Sequence, residues 1–387
     1  MRILIIHSAG PSHFPSGELS VIKTECNYLQ ENGHSVECLI DYSSLRWNPF
    51  RLFWSPKKNK LLKRTILSFK PDIIHFHSVI PYLGLSILSV PKRYGLPVVQ
   101  TLHNGRWICV EGGFFRNGHF CDECVGSSGW KGVVYGCGRG HVAALFLFLV
   151  NQVAKFRKQL FFWVDRFIAV SDFVKKQHYL SGIPEEKIII NNNGINVDNF
   201  FFKQYEKSWD MRSGVAFAGR ISIAKGAAVI KQLIPKIKQP FHIIGSGPEL
   251  DGLKYFCNIK SFNHVKFWGK QSREKTIEIL GGVVCTIVPS QCGESFPTVA
   301  IESMALGTPV VSSNLGGLPG LVGKGGGTVV DAKEYDQFCD SVLKYLNNIT
   351  IAKEDGINGR QYVRDNLSME VRGRALVQIY EDVLSKK

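Results

Sequence analysis

Short, solid apolar runs alternate with helix-length stretches along most of this chain, and that alternation admits few folds. Arg2–His7, Val36–Ile40, Ile73–His77, Val98–Leu102, Arg166–Val170 and Lys187–Ile190 each read as a buried strand. Between the first two, Glu18 to about Asn32 has helical spacing, and Gly33 stops it. The pattern then starts again with Val215–Ala218, Phe241–Ile244, Val265–Trp268, Val283–Val288 and Pro309–Ser312. Continuous apolar strands separated by helices predict an α/β chain with two doubly wound, mostly parallel sheets. A length of 387 residues suits two such domains. We expect them at residues 1–190 and 191–365, with the polar segment Asn191–Asn196 as hinge. Two helical segments are expected beyond Asp331. The last, within 366–387, is expected to pack back toward the first domain. Open α/β sheets bind ligands outside the carboxyl ends of their strands, so the expected site is the cleft between the domains.

The charge is uneven. The net value is +15, and Arg46, Arg51, Lys57, Lys58, Lys60, Lys63, Arg64 and Lys70 fall in residues 46–70 with no acid among them. Trp47, Phe50, Phe53 and Trp54 are interleaved. Such a stretch is a solvated basic helix or an anionic-membrane contact; a nucleic-acid surface is the weakest of the readings, and no nucleic-acid partner is expected. No apolar run reaches the ~20 residues that a membrane-crossing helix needs. The opening Met1–His7 is too short for a secretory leader, so the expectation is a cytoplasmic chain, peripheral on the inner face of the membrane.

Four segments of the second half carry chemistry. Gly219-Arg220 ends a strand and Lys225 follows at a helix start, which brings two cations to one loop where a diphosphate could sit. Gly245-Ser246-Gly247 lets backbone approach a ligand. Trp268 could hold a base but reads more simply as a core residue. The most specific segment is Glu294-Ser295-Phe296-Pro297-Thr298-Val299-Ala300-Ile301-Glu302. Pro297 marks a helix start and Gly307 its end. The helix N-terminus, with the Thr298 and Val299 amides, offers free N–H groups and partial positive charge to a phosphate. Glu294 lies in the loop before it, and Glu302 lies about a turn and a half inside.

The Glu294…Glu302 pair, Gly219-Arg220…Lys225 and the Gly316-Gly317 turn resemble the retaining glycosyltransferase family 4, of GT-B fold. Ser16-Gly17-Glu18, Asp72–His77, Leu102-His103-Asn104 and Asn193–Asn196 resemble further motifs of that family. The resemblance implies two Rossmann-like domains facing across a cleft, the first on the acceptor side and the second holding a nucleotide-sugar donor. It implies that Arg220 and Lys225 neutralise the leaving diphosphate, Glu294 holds the donor hexose and Glu302 the ribose. His103 would sit near the transferred sugar. Gly17, Gly219, Gly245, Ser295, Phe296, Thr298 and Val299 would line the donor. The chain departs from the family at Ser16, at Pro297, which has no N–H to donate, and at Gly320.

Cleaving a glycosyl–phosphate bond leaves charge on a nucleoside diphosphate, and some cation must stabilise it. The sequence has no Asp-x-Asp pair to hold a metal, so no cofactor is expected for catalysis. The acceptor is expected to be a carbohydrate or lipid-linked precursor of a cell-surface polysaccharide or lipopolysaccharide. Two other readings stay open: a nucleotide-sugar epimerase of the same fold, and a basic Rossmann-like protein that binds membrane or nucleic acid. An insertion at about 104–140 carries Cys109, Cys121, Cys124 and Cys137, whose spacing could close a tetrahedral zinc site. Buried or redox-idle thiols are the alternative for these four.

Overall fold

The computed structural model describes residues 1–9, 17–42, 49–156, 159–196 and 207–386. Ser16, Arg46 and Trp47, singled out above, lie outside them. The chain divides into two compact units. One comprises Met1–Phe114, Asp122–Gly194 and Met369–Lys387; the other comprises Phe115–Cys121 and Ile195–Ser368.

The sheet of the first unit is built from β1 (Arg2–Ser8), β2 (Ser35–Asp41), β3 (Ile73–Phe76) and β4 (Val98–Leu102). A short hairpin, β5 (Phe115–Arg116) with β6 (His119–Phe120), follows and belongs to the other unit by its contacts. The sheet then resumes with β7 (Arg166–Ala169) and β8 (Ile188–Ile190). Its order is β2-β1-β3-β4-β7-β8, and every neighbour pair is parallel. In β1, all residues after Arg2 are buried, as a strand covered on both faces requires. The helix Gly17–Glu31 turns Leu19, Ile22, Cys26 and Leu29 inward at helical spacing. The C-terminal helix Met369–Leu384 packs beside it and buries Leu376, Ile379, Tyr380 and Val383 in the same core as Ile3, Ile5, Ile73 and Val99. A Cβ on Gly373 would stand 2.2 Å from the Tyr28 ring, so the two helices meet at a residue without a side chain.

The second sheet contains β9 (Val215–Ala218), β10 (Phe241–Ile244), β11 (Val265–Gly269), β12 (Cys285–Val288), β13 (Val310–Ser313) and β14 (Gly327–Val330). Its order, β11-β10-β9-β12-β13-β14, is all parallel and is the Rossmann order with its switch point between β9 and β12. Both sheets are thus doubly wound α/β, as the alternating pattern requires.

Two elements differ from the sequence reading. β14 was not expected, because Gly325, Gly326 and Gly327 mask a run of only three further residues. Beyond Asp331 there are three helices, not two: Tyr335–Asn347, Ile349–Leu367 and Met369–Leu384. Asn348 separates the first two by accepting the Ile351 N–H on its side chain. Gly356 and Gly359 sit inside the second because Gly307 and Gly326 approach there; a Cβ would meet them at 2.1 and 2.9 Å. Those glycines weaken helix propensity but serve close packing.

Candidate active site

In the first unit, polar side chains gather where β1, β3 and β4 end and the first helix begins. Gly17 is exposed at the start of that helix, and Glu18 follows in its first turn. The Glu18 carboxylate accepts hydrogen bonds from Ser78 Oγ at 2.6 Å and Asn104 Nδ2 at 3.2 Å. Burial pushes its pKa up, but His103, Ser78, His7 and Asn104 together outweigh that and hold it below the ordinary value. His103 is buried at the end of β4, and burial lowers its pKa against the pull of Glu18. Its Nε2 lies 2.8 Å from His77 Nδ1. A small hollow beside it is lined by His77, Ser78, His103, Asn104, Arg106 and Trp107.

Behind His77, buried Glu25, His75 and His77 each bring one ligand atom to within 4.8 Å of the others. Both nitrogens of His75 are already engaged, Nδ1 with Tyr380 Oη at 2.8 Å and Nε2 with Thr101 Oγ1 at 2.7 Å. Glu25 Oε2 and His77 Nε2 are the buried atoms of the group that have no hydrogen-bond partner. His75 is thus fixed by hydrogen bonds at both nitrogens, and Glu25 faces His77.

In the second unit, Gly219 and Arg220 leave β9, with Arg220 exposed. Gly245 leaves β10 at φ +130°, and a Cβ on it would lie 1.9 Å from the Gly219 carbonyl oxygen. Only glycine lets these two strand-end loops touch. Lys225 closes a short 3₁₀ turn, Ile223–Lys225. Gln291 N–H donates to the Ala224 carbonyl at 2.8 Å and draws the loop after β12 to that turn. Lys225 Nζ therefore reaches Glu294 Oε1 at 2.5 Å, although the two are 69 residues apart. Ser290 Oγ donates to the same oxygen at 2.5 Å.

The Gly316-Gly317 turn supports Glu294 from behind. Gly317 N–H donates to the Glu294 carbonyl at 2.6 Å. Gly316 has φ +67°, and a Cβ there would stand 2.1 Å from that same oxygen. Ser295 and the buried Phe296 lead into the helix Thr298–Ala305. Pro297 caps it in extended conformation with no side-chain hydrogen bond, which leaves the Thr298 and Val299 amides at an uncapped helix start. Glu302 lies in the fifth position of the helix and accepts Arg273 Nε at 2.9 Å. Burial raises its pKa, and Arg273 opposes the rise.

Each unit thus collects its own predicted residues. His103 and Gly17 belong to one, and Arg220, Lys225, Glu294 and Glu302 to the other. Sequence reasoning missed Glu18, Asn104, Ser290 and Arg273 as partners. Glu18 and Asn104 are the immediate neighbours of Gly17 and His103 in the sequence. Arg273 opens a charged run that reads as a solvated helix start, so nothing marked it.

The four cysteines of the insertion differ in their surroundings. Cys109 and Cys124 are buried and Cys121 and Cys137 half-buried, but among the described residues no three of their sulfurs lie within 4.8 Å of one another. Burial raises the Cys109 thiol, partly offset by the Gly112, Phe114 and Glu111 amides. Cys124 Sγ faces the Gly129 carbonyl at 3.8 Å.

Residues 17–199 match the family model described as Glycosyltransferase Family 4, and residues 200–362 match that for Glycosyl transferases group 1. An uncharacterized glycosyltransferase of Methanocaldococcus jannaschii is 26% identical over 220 residues, 57% of this chain and 60% of that protein. The D-inositol 3-phosphate glycosyltransferase of Mycolicibacterium smegmatis is 32% identical over 141 residues, 34% of this chain and 32% of that protein. The chain therefore matches less than two thirds of the length of these curated relatives. Among solved structures, a glycosyltransferase from Rickettsia africae superposes with TM-score 0.71 at 19% identity, covering 100% of both chains. Anabaena HepE, solved in complex with UDP-glucose, gives 0.69 at 14% identity, covering 98% and 99%. These likenesses establish the fold.

Proposed function

The chain belongs to glycosyltransferase family 4, the glycosyl transferases group 1, and from that membership we propose that it moves a sugar from a nucleotide-diphosphate donor to an acceptor with retention of configuration. The observation that carries this reading is the Lys225–Glu294 pair, held in front of an uncapped helix start by the Gly316-Gly317 turn. A departing nucleoside diphosphate needs positive charge where its own charge develops. Arg220, Lys225 and the Thr298 and Val299 amides supply it, so this chemistry asks for no catalytic metal. Glu294 then orients the hexose, Glu302 the ribose, and His103 the transferred sugar. Gly17, Gly219 and Gly245 let backbone approach the donor, and Ser295 and Phe296 complete its wall.

For the acceptor we favour a lipid-linked or cell-surface glycan precursor, reached from an anionic membrane surface at the cytoplasmic face. Support comes from the helix Pro56–Phe69 and the turn before it. Lys57, Lys60, Lys63 and Arg64 are exposed there, as are Trp54 and Phe50 at 63% and 75%. Lys58 is the exception, held by Asp41 and by the Tyr82 carbonyl.

The test is a thermal-shift panel of UDP-, GDP-, ADP- and dTDP-sugars, followed by product analysis with the donor that binds. A donor at a hundredfold its dissociation constant stabilises by ~2.7 kcal/mol. One donor is expected to raise the melting temperature, and Lys225→Ala to abolish the rise. No response to any donor sinks the reading. Consumption of donor without sugar incorporation replaces transfer by epimerisation.

A further inference from the structure

The first unit contains an ordered chain of three side chains ending at His103. Glu25 Oε2 and His77 Nε2 face each other at 3.4 Å, both are buried, and neither has a hydrogen-bond partner elsewhere. The other nitrogen of His77, Nδ1, lies 2.8 Å from His103 Nε2, and the two rings are nearly parallel at 18°. His75 walls one side of His77 at 4.2 Å between ring centres. It is itself fixed at both nitrogens by Tyr380 and Thr101, so it offers His77 no alternative partner. An imidazole with one proton must donate from one nitrogen and accept at the other. The whole chain therefore has two self-consistent arrangements.

We propose that Glu25 and His77 are positioning residues that decide which nitrogen of His103 carries its proton. With Glu25 protonated, its hydroxyl donates to His77 Nε2, His77 Nδ1–H donates to His103 Nε2, and His103 keeps its proton on Nδ1. With Glu25 ionised, His77 donates from Nε2 to the carboxylate and accepts at Nδ1 from His103 Nε2–H, leaving His103 Nδ1 bare. The two states differ by one proton, released at His103 Nδ1 while the other two protons each move one step along the chain. His103 thus presents a donor in one state and an acceptor in the other. Burial holds Glu25 at about 8, so the donor state prevails at neutral pH.

Other titratable groups surround the chain. Cys26 lies beside Glu25 on the same helix, Cys38 reaches in from β2, and Tyr380 from the C-terminal helix. Glu18, His7 and His75 act on His103 and His77. Burial keeps the Tyr380 hydroxyl far above its usual value, and contact with Cys38 followed by burial does the same for the Cys26 thiol. The Cys38 thiol is lowered by its contact with Cys26, so a Cys38→Ser chain is titrated beside the wild type, and the His103 midpoint is expected to be the same in both.

The experiment is a ¹⁵N-histidine NMR titration of the full chain between pH 6 and 9, with His103 assigned by comparison with His103→Gln. His103 is expected to carry its proton on Nδ1 at pH 6.5 and to move toward Nε2–H with a midpoint near 8. In Glu25→Gln, whose amide still donates but cannot ionise, the Nδ1–H form should persist to pH 9. His103 on the same nitrogen in both chains across the range overturns the proposal, and the wild-type titration alone decides it if Glu25→Gln does not fold. A second readout rests on the transferase reading: donor KM should rise through pH 8 in the wild type and stay level in Glu25→Gln, with kcat changed less than KM. If no donor is turned over, the tautomer measurement still stands, so the two failures are distinguishable.

Discussion

His7, His75, His77 and His103 all lose basicity to burial, and together they set how the chain meets acid. His7 is lowered to about 4 and His75 to about 3, with desolvation the leading cause for all four. Folded, these imidazoles stay neutral; unfolded, they bind protons as pH falls through the ordinary 6.5. The unfolded state therefore holds more protons in that window, and stability is full above about 6.5 and is lost as pH falls toward 4. Glu25 acts oppositely. Raised to about 8, it makes folding less favourable as pH climbs from its ordinary 4.5. Four groups outweigh one, so melting temperature should fall steadily from pH 7 to 5. His7→Leu should flatten the fall, because both His7 nitrogens are buried without partners and their loss breaks no hydrogen bond. A level melting temperature over that range in the wild type would contradict this. The imidazoles were partly legible in the sequence, since His75 and His77 alternate at a strand end. Glu25 was not: it occupies an inward position of a helix whose other inward residues are apolar, and a single strand of text gives no hint of what it faces.

At the level of elements, tight turns do the aligning. The apolar runs of β1, β9 and β12 were readable because strands covered on both faces leave almost no polar interruption. The Gly316-Gly317 turn was readable only as a motif, and its physical task emerges from the fold: it abuts the backbone of Glu294. Gly316→Ala should push that backbone away, costing ~1–3 kcal/mol for a strained left-handed position and lowering turnover together with stability. Gly320→Ala, four residues on in the helix Leu318–Val322, meets nothing within 4 Å and should be neutral or slightly stabilising. Chemical denaturation and steady-state kinetics on the two variants make the comparison. Equal effects from both would deny the turn its part in placing Glu294. β14 and the division of the last helices were hidden for the complementary reason, since glycines that permit close packing read as breaks.

Across the whole molecule, the described stretch from Phe50 to Phe69 combines exposed aromatics with a run of exposed positive charge. No helix among the described residues is long and apolar enough to cross a membrane. The exposed face of Pro56–Phe69 should instead bind vesicles of anionic phospholipid and ignore zwitterionic ones, each Lys contributing ~1 kcal/mol near the surface. Replacing Lys57, Lys60 and Lys63 together by Glu should abolish cosedimentation, and salt should weaken it. Undiminished binding by the triple variant would exclude this face as the anchor. The two-domain character was legible in the restarted pattern, whereas the partnership of His75 with Tyr380, 305 residues away, was beyond any local reading. That long return has a consequence for biosynthesis. The first unit is interrupted after Gly194 and resumes at Met369, with most of the other unit translated in between. A ribosome must decode residues 195–368 before the earliest strands receive their closing helix, so the first unit waits, incomplete, while a later-made neighbour can already finish folding.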